Sequence, residues 1–145
     1  MNLMYPYFLL IHLFCAIIFL GYLFCDVFLF SQVRKFLGDE FADKMSCAIG
    51  KRTQWMPLCF LLLIVTGMAM ISQYIGTELG YFGTTLQKFL VFKSILALGI
   101  ALMIVISLGF YYLLKKPSPL RKIIHPLALT LGVIIVILAK LAFYQ

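Results

Sequence analysis

The stretch YPYFLLIHLFCAIIFLGYLFCDVFLF, residues 5–30, decides the fold class of this chain. It contains no lysine or arginine, one histidine (His12) and one acidic residue (Asp26). At about 1.5 Å per residue, a helix of this length exceeds the ~30 Å hydrocarbon core of a bilayer. The stretch therefore predicts a membrane-spanning helix. Ionisable side chains are costly inside such a helix unless they face other helices, so His12 is the first candidate functional residue.

The composition extends this prediction to the whole chain. Hydrophobic residues make up 64% of the 145 residues and charged residues only 12%, which leaves too few polar groups to cover a water-soluble domain. The segments long and apolar enough to span are residues 5–30, 55–74, 89–114 and 124–143. The sequence thus predicts an all-α integral membrane protein, a four-helix bundle that forms a single transmembrane domain over residues 1–145.

The basic residues predict how this bundle is oriented. They concentrate in the loops after the first and third spans, as Arg34, Lys35, Lys44, Lys51, Arg52, Lys115, Lys116, Arg121 and Lys122. The connection between the second and third spans contains only Lys88. Because short basic loops stay in the cytoplasm, both termini are predicted on the outer, periplasmic side of a bacterial inner membrane. The net charge of +7 then indicates anionic lipid headgroups as partners, and no nucleic acid.

Two local patterns predict further helical features, namely a helix between the first two spans and the start of the third. Apolar residues recur at helical spacing over residues 33–49, between charges, which predicts an amphipathic cytoplasmic helix interrupted at Gly38. Thr84 and Gln87 have the spacing of a capping box, which predicts the start of the third helix.

Depth in the membrane groups a set of candidate ligands in the outer half of the bundle. His12 is expected roughly 10 Å below the outer surface, at a similar depth to Lys93 and Lys140. Lysines at this depth could bind the carboxylates of an amphipathic ligand, and histidine is the usual heme or metal ligand. Cys15 and Met68 are possible neighbours. The alternative is that the lysines extend to the headgroups and His12 hydrogen-bonds across the bundle.

A second polar group is predicted at the inner surface. Asp26 is about 21 Å further along the first helix than His12, and His125 begins the fourth span. The two histidines are therefore too far apart in depth to hold one heme between them. A structural ion pair between Asp26 and Arg52 is the simplest prediction for the inner group. A proton relay through Asp26 and His125 is the alternative.

Short motifs in all four spans give the chain a resemblance to a known superfamily. They are Leu10-Ile11-His12-Leu13, Phe19-Leu20-Gly21, Arg52, Met56-Pro57, Gly67, Phe92-Lys93, Pro126 and Ile137-Leu138-Ala139-Lys140. With these motifs the chain resembles the small four-helix membrane proteins of the HemJ-type protoporphyrinogen oxidase and CopD-type copper-resistance superfamily. It differs from the family pattern at Asp26-Val27, Val91 and His125, where the family has Pro-Arg, a histidine and an acidic residue.

The resemblance implies a cofactor and an activity. HemJ-type proteins are associated with heme b and oxidise protoporphyrinogen IX, passing electrons toward the respiratory chain. By this resemblance, His12 is the expected heme iron ligand, and Lys93 and Lys140 the expected partners of the porphyrin propionates. The expected partners are then a porphyrin and a respiratory-chain electron acceptor, and a homo-oligomer is also compatible with the sequence.

Two other functions remain open from the sequence. One is copper transport or resistance of the CopD type, in which His12, Cys15 and Met68 would supply ligands suited to Cu(I). The other is a non-catalytic accessory subunit, whose polar residues would only determine how the helices pack.

Overall fold

A computed structural model describes residues 3–52, 55–76, 80–113 and 121–144 of the chain. Within these ranges the protein is helical and contains no strand, which confirms the predicted all-α class for this part of the chain. The elements are α1 (Tyr5–Phe24), a π-helical turn (Cys25–Phe30), α2 (Ser31–Leu37), α3 (Asp39–Arg52), α4 (Met56–Ile71), α5 (Thr85–Leu113) and α6 (Arg121–Ala142).

Three of the described helical stretches are long and apolar enough to cross a membrane. They are Tyr5–Leu37, Thr85–Phe110 and Ile123–Ala142, with mean hydropathies of 2.5, 2.6 and 2.2. The fourth apolar helix, α4, has 16 residues and is about 24 Å long. Helical hydrogen bonds continue past its end, from the Ser72 amide to the Met68 carbonyl (3.1 Å) and from Ile75 to Ile71 (3.0 Å). The chain therefore keeps a helical course toward Tyr74, where the second predicted span ends.

The first helix continues beyond the predicted end of its span at Phe30. It passes through the π-helical turn directly into α2 and ends at Gly38, whose φ of 83° favours glycine. The predicted interruption at Gly38 is thereby confirmed, and α3 begins immediately after it. A π-helical turn has no signature in the apolar pattern of this segment, so the sequence did not indicate it. Such turns occur often at functional sites, and this one contains Asp26.

The four apolar helices contact one another in pairs. α1 packs mainly on α4, and α5 on α6, while α1 also touches α6 and a sparse contact joins α4 to α5. Each helix contributes to one small core, which consists of Phe19, Leu23, Phe60, Ile100 and Ala128. Most other large apolar side chains point outward, as expected for helices surrounded by lipid instead of water.

Gly132 of α6 lies at a close approach to α1. A Cβ atom at this position would overlap Cδ2 of Leu20, on α1. We expect Gly132→Ala to force Leu20 into a poorer rotamer and to destabilise the protein by about 1 kcal/mol. The measurement is thermal unfolding in detergent, with Gly99→Ala as the matched control, because a Cβ at Gly99 has no neighbour within 4 Å. A Gly132 variant as stable as the Gly99 variant would contradict this prediction.

Candidate functional site

The candidate site is an apolar cavity of about 300 Å³ between α1, α4 and α5. His12, Met68 and Lys93 all line it, so the structure brings together three of the residues that depth had grouped. Its other walls are mostly aliphatic side chains of α4 and α5. A small apolar cavity with a few converging polar groups is the usual form of a ligand site.

The His12 ring is held by a hydrogen bond to α4. Its Nδ1 atom lies 2.9 Å from Oγ1 of Thr66, a residue that is only 3% exposed. The single hydroxyl proton of Thr66 is directed to the backbone carbonyl of Leu62, at 2.6 Å. The Thr66 oxygen therefore accepts a hydrogen bond from Nδ1–H of His12, and this network assigns the tautomer. In this tautomer Nε2 of His12 carries no proton, so its lone pair is of the kind that a metal ligand requires.

Gly67 makes room for this ring. A Cβ atom at Gly67 would lie 3.3 Å from Cε1 and 3.8 Å from Nδ1 of His12, so any larger residue would press on the imidazole. Thr66 and Gly67 thus position His12 as an adjacent pair, one by a hydrogen bond and one by lacking a side chain. The sequence indicated Gly67 only through the family motif and missed Thr66. A lone threonine within an apolar span was the available signal.

Lys93 supplies the positive charge of the cavity. It lies on α5 about 12 Å from the start of that helix, half-buried, and close to the His12 ring. No carboxylate of the described residues lies within 4.0 Å of its ammonium group. A partly buried ammonium group in an apolar wall is a candidate binding site for an anionic group of a ligand.

Two residues of the predicted outer group lie elsewhere. Lys140 is exposed in the last turn of α6 and does not line the cavity. Cys15 is buried between α1 and α4, beside Cys59, and does not line the cavity either. Among the described residues, no three His, Cys, Asp or Glu side chains converge as a metal site. The cavity therefore offers one histidine and one lysine, with the thioether of Met68 at its edge.

Aromatic side chains form the end of the cavity that lies about 10 Å along α1 from His12. The rings of Tyr5 and Tyr74 meet edge to face at 6.3 Å, and those of Tyr74 and Phe143 at 5.9 Å. Gln87 fixes this end, because its Nε2 donates to the Tyr74 carbonyl (2.9 Å). Gln87 also completes the predicted capping box with Thr84, through bonds of 3.1 and 3.2 Å.

The inner polar group is separate from this cavity. Asp26, in the π-helical turn, forms a short hydrogen bond with Nδ1 of His125 on α6. The rings of Tyr22 and His125 meet edge to face, with their centroids 6.1 Å apart. The pair lines a second cavity of about 640 Å³, together with Arg34, which bonds to Asp43 at 3.0 Å.

Part of the inner group cannot be compared with its prediction. The side chain of Arg52 lies outside the described residues, so the predicted pair between Asp26 and Arg52 stays a prediction. The contact between Asp26 and His125 is the one that the proton-relay alternative requires. The apolar core lies between this pair and His12 along α1.

The chain was compared with protein families, curated proteins and solved structures. No family model, no curated protein and no solved structure matches the chain. What the site can bind is therefore inferred from its own residues.

Proposed function

We propose that the chain is a heme-b-binding integral membrane protein that acts in porphyrin oxidation or in electron transfer within the membrane. The observation that carries the proposal is the His12 ring. Its tautomer is assigned by Thr66, and the ring lines an apolar cavity that also contains Lys93, which has no carboxylate partner among the described residues. A heme site needs these three features, namely a nitrogen ligand, apolar walls and a cation for a propionate.

The residues of the cavity fit heme b by their chemistry. His12 would hold the iron through Nε2, and Lys93 would bind a propionate. The heme would supply one-electron chemistry. Lys140 remains a proposed partner for the second propionate at the protein surface, since it is exposed. The described residues supply no second histidine at this depth, because His125 is bonded to Asp26.

The proposed setting is a four-helix bundle in a bacterial inner membrane, with both termini in the periplasm. Three long apolar helices and the basic loop residues support it. In this setting the cavity lies in the outer half of the bilayer. The oxidation of protoporphyrinogen IX, with electrons passed to a respiratory-chain acceptor, is the proposed reaction that the family resemblance favours.

Copper handling is the second candidate, and one observation favours it. The Met68 thioether and the His12 ring line the same cavity, and both are ligands suited to Cu(I). Cys15, the third expected copper ligand, does not line it, so Met70, which does, would have to replace Cys15. We rank copper below heme because Lys93, a cation beside His12, disfavours a metal ion held by neutral ligands.

The test is an absorption spectrum of the protein purified in mild detergent, oxidised and reduced, with elemental analysis for iron and copper. We expect a Soret band that shifts on reduction and is lost in His12→Ala. The matched control is His125→Gln, which changes the other histidine of the chain and should keep the band.

The other outcomes would contradict the proposed ligand or favour a different function. A band lost only in the His125 variant would contradict the proposed ligand. A colourless protein that contains copper would favour the copper candidate. A colourless protein without either metal, even after incubation with hemin, would favour the accessory subunit.

A further inference from the structure

We infer that the outer cavity is loaded sideways, from the bilayer, by a membrane-dissolved amphiphile whose carboxylate binds Lys93. The inference rests on the proposed function in that it concerns the same cavity, but it does not require the ligand to be a heme. The ligand class is a molecule with an apolar body and an anionic group. The access route is the gap between α4 and α5.

The gap is visible in how the helices pack. α4 and α5 make a much sparser contact than the α1–α4 and α5–α6 pairs, although both line the cavity. Met68 on α4 and Leu98 on α5 line the cavity and are also 58% and 70% exposed. Leu98 lies within the most apolar of the spanning stretches, whose exposed face is expected to contact lipid. The opening of the cavity at these two residues therefore faces acyl chains.

The end of the cavity nearest the outer surface is occupied by aromatic rings. Tyr5 from α1, Tyr74 in the turn after α4 and Phe143 after α6 pack edge to face there. Tyr74 is held in place twice, by its hydroxyl contact with Tyr5 at 3.4 Å and by the bond from Gln87 to its carbonyl. Access from the periplasm would have to break these contacts, whereas access from lipid requires only that acyl chains leave the gap.

Charge determines which membrane molecule is retained. The walls are apolar, so any acyl chain or flat ring system gains little by moving from lipid into the cavity. Lys93 changes this balance for a ligand with a carboxylate, because its ammonium group is already partly removed from water and the carboxylate compensates its charge. A neutral molecule of the same shape, such as an ester, lacks this contribution.

The test uses brominated fatty acids as probes, in proteoliposomes. Trp55 is the only tryptophan, so a Trp55→Phe background with Leu98→Trp reports on the opening of the cavity. We expect the free acid to quench this tryptophan with roughly tenfold higher apparent affinity than its methyl ester. Adding Lys93→Met should abolish the difference. The matched control, Leu102→Trp, is also lipid-exposed on α5 but outside the cavity, and should show no preference for the acid.

The access route has its own measurement. Acyl-chain-brominated phospholipids should quench the tryptophan at position 98, and aqueous iodide should not. Quenching by iodide would overturn the lateral route. Equal quenching by acid and ester, or a preference that survives Lys93→Met, would overturn the assignment of the carboxylate to Lys93. A preference for the acid in a protein that shows no Soret band with hemin would support this inference and contradict the heme proposal. The experiments therefore distinguish failure of the inference from failure of the proposed function.

Discussion

Replacing His125 by leucine should destabilise the protein by about 2 kcal/mol, and replacing Asp26 and His125 together by leucine should restore much of that loss. The single variant leaves the Asp26 carboxylate without its hydrogen-bond partner on α6. The double variant leaves two apolar side chains, which pack without an uncompensated charge. The expected loss is below that of a fully buried pair, because both side chains are about 30% exposed toward the inner cavity.

The measurement is unfolding by SDS in mixed micelles, for Asp26→Leu, His125→Leu and the double variant. Glu40→Leu is the control, because it breaks the exposed pair with Lys44 (2.7 Å), which contributes less than about 1 kcal/mol. If His125→Leu costs no more than this control, the Asp26–His125 contact contributes nothing to stability. If the double variant costs the sum of the two single variants, each residue acts through some other partner.

The inner pair also shows where sequence reasoning succeeds and where it stops. Counting residues along the spans placed Asp26 and His125 at the same depth, and the structure brings them into contact. The preferred prediction paired Asp26 with Arg52 because a basic residue is the simplest partner for a carboxylate. That pair stays a prediction, because the side chain of Arg52 lies outside the described residues. Which side chains Asp26 reaches depends on how far the first helix turns about its axis. The π-helical turn at Cys25–Phe30 changes that rotation without leaving a mark in the apolar pattern.

The outer cavity shows the same limit. Depth follows from the rise of about 1.5 Å per residue, so the common level of His12, Met68 and Lys93 could be predicted. The direction of each side chain could not, because α1 and α5 are apolar on all sides and offer no polar face that orients them. Cys15 on α1 illustrates this limit, because it has a suitable depth but lies outside the cavity. Lys140, on α6, lies outside it as well.

Thr66 gives the second large effect that we expect. Thr66→Val has nearly the same shape but removes the oxygen that accepts the hydrogen bond from Nδ1–H of His12. The ring then loses the contact that determines its tautomer and orientation. Partners of ligating histidines typically contribute 10- to 100-fold to affinity, so hemin should bind about 10- to 100-fold more weakly to the variant. The measurement is a hemin titration followed at the Soret band.

Two controls separate this effect from a general loss of structure. Thr66→Ser keeps the hydroxyl and should bind hemin nearly as well as the unchanged protein. Thr130→Val removes a hydroxyl that donates only to the carbonyl of Pro126 (2.9 Å), on the exposed side of α6, and should have no effect on binding. Nitrogen NMR of the ligand-free protein gives an independent readout. In the unchanged protein, His12 should show only the tautomer with a protonated Nδ1, and in Thr66→Val a second form should also be present. Unchanged hemin affinity in Thr66→Val, together with an unchanged tautomer, would mean that the carbonyl of Leu63, the other acceptor beside the ring, suffices to hold His12.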